Sequence, residues 1–242
     1  MNQVIGILGG MGPRATVKFE QMLLDKLVGP DQALPKIITI NDGSIPDRTQ
    51  FLKGVGEDPL PKMVRNVGLL EKMGSDIICI PCNTACAPVI FNRIQSCTEI
   101  PIINLPAEVG KVLNNRGVSE LLLLATEGTI AAGTFQIICQ NNGIKCRVPS
   151  DCNQQLINSL IYAIKNGDKA LAKLLAKQIK ELIIQSNIKT IVMGCTEIPL
   201  VADLLVPESC AAIDTLEVLV DVAISMTKCN NSIKENVNNA TR

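Results

Sequence analysis

The 242-residue chain contains no histidine and no tryptophan, and it has only one tyrosine and four phenylalanines. Histidine is the side chain that most often moves protons near neutral pH, so acid–base chemistry here would need another carrier. The shortage of aromatic rings argues against a protein that stacks on exposed bases. Lysine and arginine (23) balance aspartate and glutamate (23), so no net charge attracts nucleic acid or an anionic membrane.

Long apolar stretches are also missing: none approaches the roughly 20 residues that a membrane span needs. The N-terminal residues lack the basic region and the cleavage site of a signal peptide. We therefore expect a cytoplasmic protein that binds neither a membrane nor nucleic acid. Ten cysteines are present, but they are scattered through apolar runs without an export signal, which favours reduced thiols.

Short β-rich apolar runs alternate with longer segments of helical periodicity, and this alternation predicts an α/β fold with parallel sheets. Strands are predicted at 4–8, 36–40, 76–81, 102–105, 120–125, 190–193 and 211–214. Helices are predicted at about 14–27, 59–73, 87–96, 107–115, 133–142, 152–165, 168–186 and 216–228.

Two segments of the chain resemble each other. In each, a small-residue loop follows one strand and a cysteine follows another. From Gly10 to Cys82 is 72 positions, and from Thr126 to Cys195 is 69. The pattern predicts two similar, duplicated α/β domains with the two cysteines in equivalent places; a chance similarity of α/β units is the alternative.

The predicted domain boundaries follow from this duplication. The first domain comprises 1–100 plus 209–242, and the second comprises 101–208. The segment 230–242 is polar, and we expect it to be a disordered tail.

Cys82 and Cys195 each end a predicted strand, and ligands of open α/β sheets bind beyond such strand ends. Each precedes residues able to cap a helix, whose N-terminus lowers a thiol pKa from about 8.5 toward neutrality. A thiol and a thiolate can then replace histidine as acid and base. A free cysteine is most often simple core packing, but two at equivalent strand ends favour a functional role.

A metal site is the alternative use of these thiols. Cys79, Cys82 and Cys86 form C-x-x-C-x-x-x-C, which resembles part of a zinc or iron–sulfur site. Strand alternation turns Cys79 away from the face of Cys82, and no fourth ligand has a matching spacing. We predict that Cys79 is a core residue and that no metal is bound.

The segment GMGPRA, residues 10–15, matches the dinucleotide fingerprint G-x-G-x-x-A between a strand and a helix. The acidic residue expected about 20 positions later is missing, however, and Pro13 removes one backbone N–H. We favour a glycine loop that allows close backbone approach to a small anion, with Pro13 starting the helix.

Five segments of the chain, GILGGMGPRAT, IPDRT, PCNTA, LLATEGTI and GCTEIPL, occur in the order and at the spacing of the aspartate/glutamate racemase family. The chain resembles this family over roughly residues 4–225, most closely the cofactor-independent aspartate racemases. The resemblance implies two similar α/β domains with the active site in the cleft between them, a homodimer, and no cofactor. Two thiols would face the substrate Cα from opposite sides, one removing the proton and the other returning it.

By this resemblance Cys82 and Cys195 are the catalytic acid/base residues. The other implied site residues all bind the substrate, an acidic amino acid, and are Met11, Arg48, Asn83, Thr84, Ala85, Thr126, Thr129, Lys165, Thr196 and Glu197. The α-carboxylate would lie against the side chains and backbone of residues 83–85. Arg48 and Lys165 would hold the side-chain carboxylate, and Glu197 would receive the ammonium.

One position departs from the family. Members usually continue CNTAH, whereas this chain has Cys86 in place of that histidine. Because thiols transfer the proton, we expect activity to survive. Aspartate and glutamate both fit the motifs, since a single methylene changes pocket depth rather than motif, and we expect aspartate first.

Other functions fit parts of the pattern. A related thiol isomerase such as a maleate isomerase shares the fold and uses a cysteine at the same place. A non-catalytic amino-acid, dinucleotide or metal-binding protein is the alternative from another class. The presence of both cysteine motifs favours racemisation.

Overall fold

The structure is a computed structural model that describes residues 3–240, with side chains over 3–227. Its strands are β1 (Val4–Gly9), β2 (Lys36–Asn41), β3 (Ile77–Cys79), β4 (Glu120–Leu124), β5 (Lys145–Arg147), β6 (Thr190–Met193) and β7 (Ala211–Asp214). The α-helices are α1 (Pro13–Lys26), α2 (Arg48–Leu52), α3 (Leu60–Lys72), α4 (Pro88–Gln95), α5 (Leu105–Asn115), α6 (Glu127–Ala131), α7 (Thr134–Asn141), α8 (Asp151–Asn166), α9 (Lys169–Ser186), α10 (Ala202–Leu205) and α11 (Thr215–Ala240). Short 3₁₀ helices lie at Asp31–Ala33, Thr84–Cys86 and Ile198–Val201.

The strands form two sheets, with the orders β2-β1-β3 and β5-β4-β6-β7. Every pairing is parallel, and an isolated parallel bridge from Ile78 to Ile102 extends the first sheet. The predicted α/β class with parallel sheets is therefore confirmed, and the two sheets fit a two-domain arrangement. Parallel strands require helical crossovers, which explains the alternation of elements along the chain.

Alternation along β4 divides the interior into two cores. Leu121 and Leu123 pack in the core that also contains the first sheet, whereas Leu122 and Leu124 face the helices α8 and α9. Both faces of the second sheet are thus covered, as is usual for parallel sheets. This arrangement leaves the strand ends as the place where polar side chains can gather.

Two predicted strands are shorter than expected. The strand expected at 76–81 ends at Cys79, because Cys82 N–H donates to the Ile80 carbonyl in a turn and proline at 81 has no N–H to offer the ladder. The strand expected at 102–105 reduces to the bridge at Ile102. Its last residue instead begins α5, which Asn104 caps by accepting the backbone N–H of Ala107.

Sequence patterns missed several short elements. β5 reads Lys-Cys-Arg, so it has no apolar run to signal a strand. The helices α2 and α6 have five residues each, too few to show a period. Their caps are Asp47 and Thr126, whose side chains accept backbone N–H groups of the first turn.

The C-terminal part of the chain differs from expectation. Helix α11 continues to Ala240 and so includes most of the segment 230–242 that we expected to be a disordered tail. That segment has neither glycine nor proline to end a helix. Within the described residues, no helix is both long and apolar enough to cross a bilayer.

The domain division at 1–100 plus 209–242 and 101–208 stays a prediction. Strand β7 pairs with β6 in the second sheet, with Ile213 opposite Val192. We therefore propose that the chain returns to the first domain after β7 rather than before it.

Candidate active site

One loop follows β3 and carries Cys82, and another follows β6 and carries Cys195. These two cysteine loops meet beyond the ends of the strands. Cys82 and Cys195 are each 5% exposed. Thr196 Oγ1 donates to the Pro81 carbonyl at 3.0 Å, so the residues adjoining the two cysteines are joined directly. The parallel sheets bring these loops together although they lie far apart in sequence.

A second bond fixes the first loop. Asn83 Nδ2 donates to Thr215 Oγ1 at 2.9 Å, and Thr215 Oγ1 donates to the Met193 carbonyl at the end of β6, also at 2.9 Å. Asn83 Oδ1 is buried without a partner in the described structure. Its nitrogen is thus occupied by the scaffold, and its oxygen remains free to accept a hydrogen bond.

Glu197 lies against the Cys195 thiol. The Cys195 Sγ–H donates to Glu197 Oε2 at 3.0 Å, and Thr196 Oγ1 lies 3.5 Å from the same oxygen. Glu197 is 2% exposed, and its Oε1 is buried with no partner among the described residues. A buried carboxylate oxygen without a donor is costly unless a ligand supplies one.

Burial and the negative charge of Glu197 raise the pKa of the Cys195 thiol well above its usual range, although Lys165 acts in the opposite direction. The expectation that a helix N-terminus lowers this pKa is therefore wrong for Cys195. The element that follows is a four-residue 3₁₀ helix, Ile198–Val201, whose dipole is too small to offset desolvation. The structure holds Cys195 as a protonated thiol.

Lys165, near the end of α8, lies within the electrostatic field of both cysteines. Burial lowers its pKa, but the negative charge of Glu197, together with that of either cysteine when it is ionised, raises the pKa overall. Lys165 is therefore a charged ammonium under all ordinary conditions. Its positive charge therefore acts on both loops.

Arg48, the first residue of α2, is held mainly by backbone. Its Nη1 donates to the carbonyls of Ile45 (3.3 Å) and Pro46 (2.8 Å), and its Nη2 donates to the Met11 carbonyl (2.6 Å). Its Nε is buried without a partner in the described structure. Since a guanidinium has five N–H donors, two remain for a ligand. The pattern IPDRT predicted the cation but not its backbone anchors.

The glycine loop packs against Glu197. An ideal Cβ built on Gly12 would lie 2.5 Å from Glu197 Oε1, so no larger residue fits there without displacing the carboxylate. Pro13 begins α1, as predicted. Met11 is buried, and its carbonyl accepts a hydrogen bond from Arg48 Nη2.

Three threonine hydroxyls complete the site. The Oγ1 atoms of Thr84, Thr126 and Thr129 lie 3.0 Å from one another, in a triangle between the two halves of the chain. All three residues are buried, as is Ala85 beside them. The Thr126 hydroxyl also accepts the backbone N–H of Thr129, whereas in the described structure the hydroxyls of Thr84 and Thr129 bond only to other hydroxyls and can rotate to meet a ligand oxygen.

Sequence reasoning missed a contact beside Lys165. Tyr162 OH donates to Asp47 Oδ2 at 3.1 Å, and the Lys165 Nζ lies 5.5 Å from the centre of the Tyr162 ring. An available signal was that Tyr162 is the only tyrosine of the chain and lies one helical turn before Lys165.

The other two cysteines of the C-x-x-C-x-x-x-C motif, Cys79 and Cys86, lie in the core. Cys79 is completely buried, as predicted, and burial raises its pKa. Cys86 Sγ donates to the Cys82 carbonyl at 3.5 Å, and burial followed by the charge of Cys82 raises its pKa to about 12. In the described part of the chain, no three potential ligand side chains of the His, Cys, Asp or Glu type are grouped for a metal. The absence of a cofactor stays a prediction.

The sequence of this chain is similar to those of known proteins. The family model described as Asp/Glu/Hydantoin racemase matches residues 8–223. A curated relative, the broad specificity amino-acid racemase RacX of Bacillus subtilis, is 29% identical over 211 residues, covering 83% of this chain and 88% of its own length.

Solved structures agree with the family match. The Picrophilus torridus aspartate racemase superposes with a TM-score of 0.82 at 26% identity, covering 93% of this chain and 94% of that one. The glutamate racemase of Francisella tularensis, solved in complex with D-glutamate, gives a TM-score of 0.71 at 21% identity over 95% of this chain and 82% of that one, which supports the fold.

Proposed function

The chain belongs to the Asp/Glu/hydantoin racemase family and is an amino-acid racemase, and on that premise we propose that it racemises a free acidic amino acid without a cofactor. Aspartate is the first candidate and glutamate the second. We also propose that the enzyme acts as a homodimer in the cytoplasm. The observation that carries the proposal is the meeting of two buried cysteine loops at one polar site in a chain without histidine.

The proposed chemistry uses the two thiols as a pair. One of the two cysteines, Cys82 or Cys195, acts as a thiolate and removes the α-proton. The other acts as a thiol and delivers a proton to the opposite face of Cα. The first sulfur gains a proton and the second loses one, so the enzyme ends each turnover with the roles exchanged. General acid–base catalysis of this kind contributes about 10²–10⁴-fold to rate.

The substrate ammonium is proposed to bind at Glu197 Oε1, the buried oxygen without a partner. Its positive charge would offset the negative charge that raises the Cys195 pKa. Substrate entry would then make the thiolate easier to form. Before the ammonium binds, Cys195 would stay protonated and therefore be less readily oxidised.

The two carboxylates of the substrate are proposed to bind at opposite ends of the site. The side-chain carboxylate would take Lys165 and the two free donors of Arg48. The α-carboxylate would take the hydroxyl of Thr84 and the backbone of residues 83–85. The paired cations and the exclusion of water would stabilise the developing carbanion.

The other predicted residues have supporting roles in the proposal. Thr126 and Thr129 hold the Thr84 hydroxyl, Thr196 ties the two cysteine loops together, and Met11 supplies a carbonyl to Arg48. Because the Bacillus subtilis relative is named as a broad-specificity racemase, the substrate range is part of the test.

Proton exchange at Cα tests the proposal directly. Reduced, folded protein is incubated in D₂O with each enantiomer of aspartate and glutamate, and Cα deuteration and inversion are followed by NMR and chiral chromatography. We expect deuterium to enter at Cα together with inversion, with alanine reacting more slowly. The absence of deuterium uptake from every acidic enantiomer contradicts the proposal, and faster reaction of alanine contradicts its acidic specificity.

A further inference from the structure

Asp47 and Tyr162 lie on opposite halves of the chain and meet beside the candidate site. The Tyr162 hydroxyl donates to Asp47 Oδ2 at 3.1 Å, and both side chains are half-buried. Neither residue is part of the predicted acid–base or substrate-binding set. A hydrogen bond to a carboxylate that is partly shielded from water is stronger than one between neutral groups.

The two carboxylate oxygens of Asp47 accept different hydrogen bonds. Oδ1 accepts the backbone N–H of Gln50 at 3.0 Å and so caps α2, whose first residue is Arg48. Oδ2 is the atom that accepts from Tyr162. The position of Oδ2 is therefore rigidly related to the backbone that carries the arginine.

Tyr162 is placed equally close to the second cation. It lies one turn before Lys165 on α8, and the Lys165 Nζ lies 5.5 Å from the centre of its ring. A cation over an aromatic face is attracted by the electrons of the ring. The tyrosine thus restricts where the ammonium can lie.

We infer that Asp47 and Tyr162 form a latch across the cleft, which sets the separation of Arg48 and Lys165 and hence the length of dicarboxylate that the site accepts. The inference rests on the proposed function, in which both cations hold the side-chain carboxylate. The latch residues position the cations and do not touch the reacting atoms.

The length of the substrate matters because its Cα must stay between the two thiols. With Cα fixed, one additional methylene moves the distal carboxylate outward, so cations at a fixed separation favour one chain length. A methylene changes binding in a fitted site by about 10–200-fold, which leaves measurable room for a loss of discrimination. Opening the latch is expected to reduce that discrimination.

The variant Tyr162→Phe removes the hydroxyl but keeps the ring beneath Lys165. We expect its KM for the preferred acid to rise about fivefold with kcat changed less than about twofold, since the contact acts equally on bound substrate and transition state. The ratio of kcat/KM for aspartate and glutamate should move toward unity by about three- to tenfold. Loss of folded protein alone would lower the apparent kcat and leave KM and the ratio unchanged.

Two further variants sharpen this test. Asp47→Ser keeps an N-cap for α2 but removes the oxygen that reaches Tyr162, so it should match Tyr162→Phe, and the double variant should be no worse than either. Lys53→Gln is the control, because Lys53, directly after α2, pairs with Glu127 of α6 at 2.8 Å and in the described structure hydrogen-bonds to neither Asp47 nor Tyr162. We expect it to behave as the wild type.

Calorimetry with succinate and glutarate separates the latch from the reaction. If the wild type fails to racemise acidic amino acids, the proposed function fails, but a wild-type preference between these dicarboxylates that Tyr162→Phe reduces still supports the latch. The inference is overturned if Tyr162→Phe leaves KM, the substrate ratio and the dicarboxylate preference unchanged. It is equally overturned if Lys53→Gln reproduces the effect, or if the wild type shows no preference for length.

Discussion

The two cysteine loops occupy equivalent places in the two halves of the chain, yet the groups around their thiols differ. Cys195 donates to the carboxylate of Glu197. Within the described residues no carboxylate hydrogen-bonds to the Cys82 thiol, and the nearby Cys86 thiol donates to the Cys82 carbonyl instead. The similar strand ends place two thiols at one site, while burial and Glu197, two residues after Cys195, make the Cys195 thiolate harder to form.

This difference makes the two cysteines unequal as acid and base. A thiol that is held protonated is ready to donate, so Cys195 is prepared to act as the acid. The enantiomer whose α-proton faces Cys82 would then use Cys195 as the acid in the protonation state that it already has. For the other enantiomer, Cys195 would first have to lose its proton. Substituting each cysteine separately therefore tests whether the two have different roles.

The largest effect is expected from Cys82→Ala and Cys195→Ala. Each should lower racemisation in both directions by at least about 10²–10⁴-fold, because a full turnover needs a proton position on each face. Each single variant should still exchange the α-proton of one enantiomer with retention, and the two variants should prefer opposite enantiomers. Cα deuteration by NMR with L- and D-substrate measures both effects.

Circular dichroism of both cysteine variants is the control for folding. Loss of racemisation in only one variant would reject the two-base mechanism and favour an isomerase that uses one thiol. The same enantiomer preference in both would show that the facial assignment is wrong.

The next effect concerns the carboxylate that distinguishes the loops. Glu197→Gln removes the charge that disfavours the Cys195 thiolate, so the pKa of Cys195 should fall and its alkylation by iodoacetamide should begin at lower pH. At the same time kcat/KM should fall about ten- to a hundredfold, because the ammonium loses a charge-assisted partner. Peptide mass spectrometry across a pH series measures the alkylation of Cys195.

Glu208→Gln changes an exposed glutamate on the same segment of chain and should leave both quantities unchanged. An unaltered alkylation profile in Glu197→Gln would contradict the electrostatic role of Glu197.

A smaller effect separates the two cations. Lys165→Met should lower kcat/KM for the acidic substrate about tenfold while the melting temperature stays near that of the wild type. Arg48→Lys should lower both kcat/KM and the melting temperature. Lysine lacks the planar fork with which Arg48 bonds three backbone carbonyls, and an unsatisfied buried carbonyl costs about 1–3 kcal/mol. Calorimetric unfolding and steady-state kinetics provide the two readouts. Equal stability losses in both variants would contradict this division.

The comparison also shows what the sequence could predict. The strands β1, β2, β4, β6 and β7 followed from apolar runs, and the residue types at their ends indicated Cys82 and Cys195. The contacts from Thr196 to Pro81 and from Tyr162 to Asp47 each join residues 115 positions apart. Such contacts depend on how two sheets pack together, and no local pattern encodes that packing.

The raised Cys195 pKa was missed for a related reason. A capping residue after a strand suggests a helix dipole, but the element that forms is a short 3₁₀ helix, and burial dominates. Burial is a property of the whole fold. The sequence around Cys195 contains Glu197, but it does not show that this carboxylate turns back onto the thiol.

The smallest effect is expected at Cys86, four residues after Cys82. Burial and the neighbouring Cys82 raise the Cys86 pKa to about 12, so Cys86 stays a neutral thiol in the range where the reaction would run. A neutral thiol that donates to the Cys82 carbonyl contributes packing and local geometry rather than a proton. Cys86→Ala should therefore keep most activity and lose about 1 kcal/mol of stability. Its kcat, KM and melting temperature, compared with those of Cys82→Ala, check this expectation, and a complete loss of activity would mean that the acid–base role belongs to Cys86 instead.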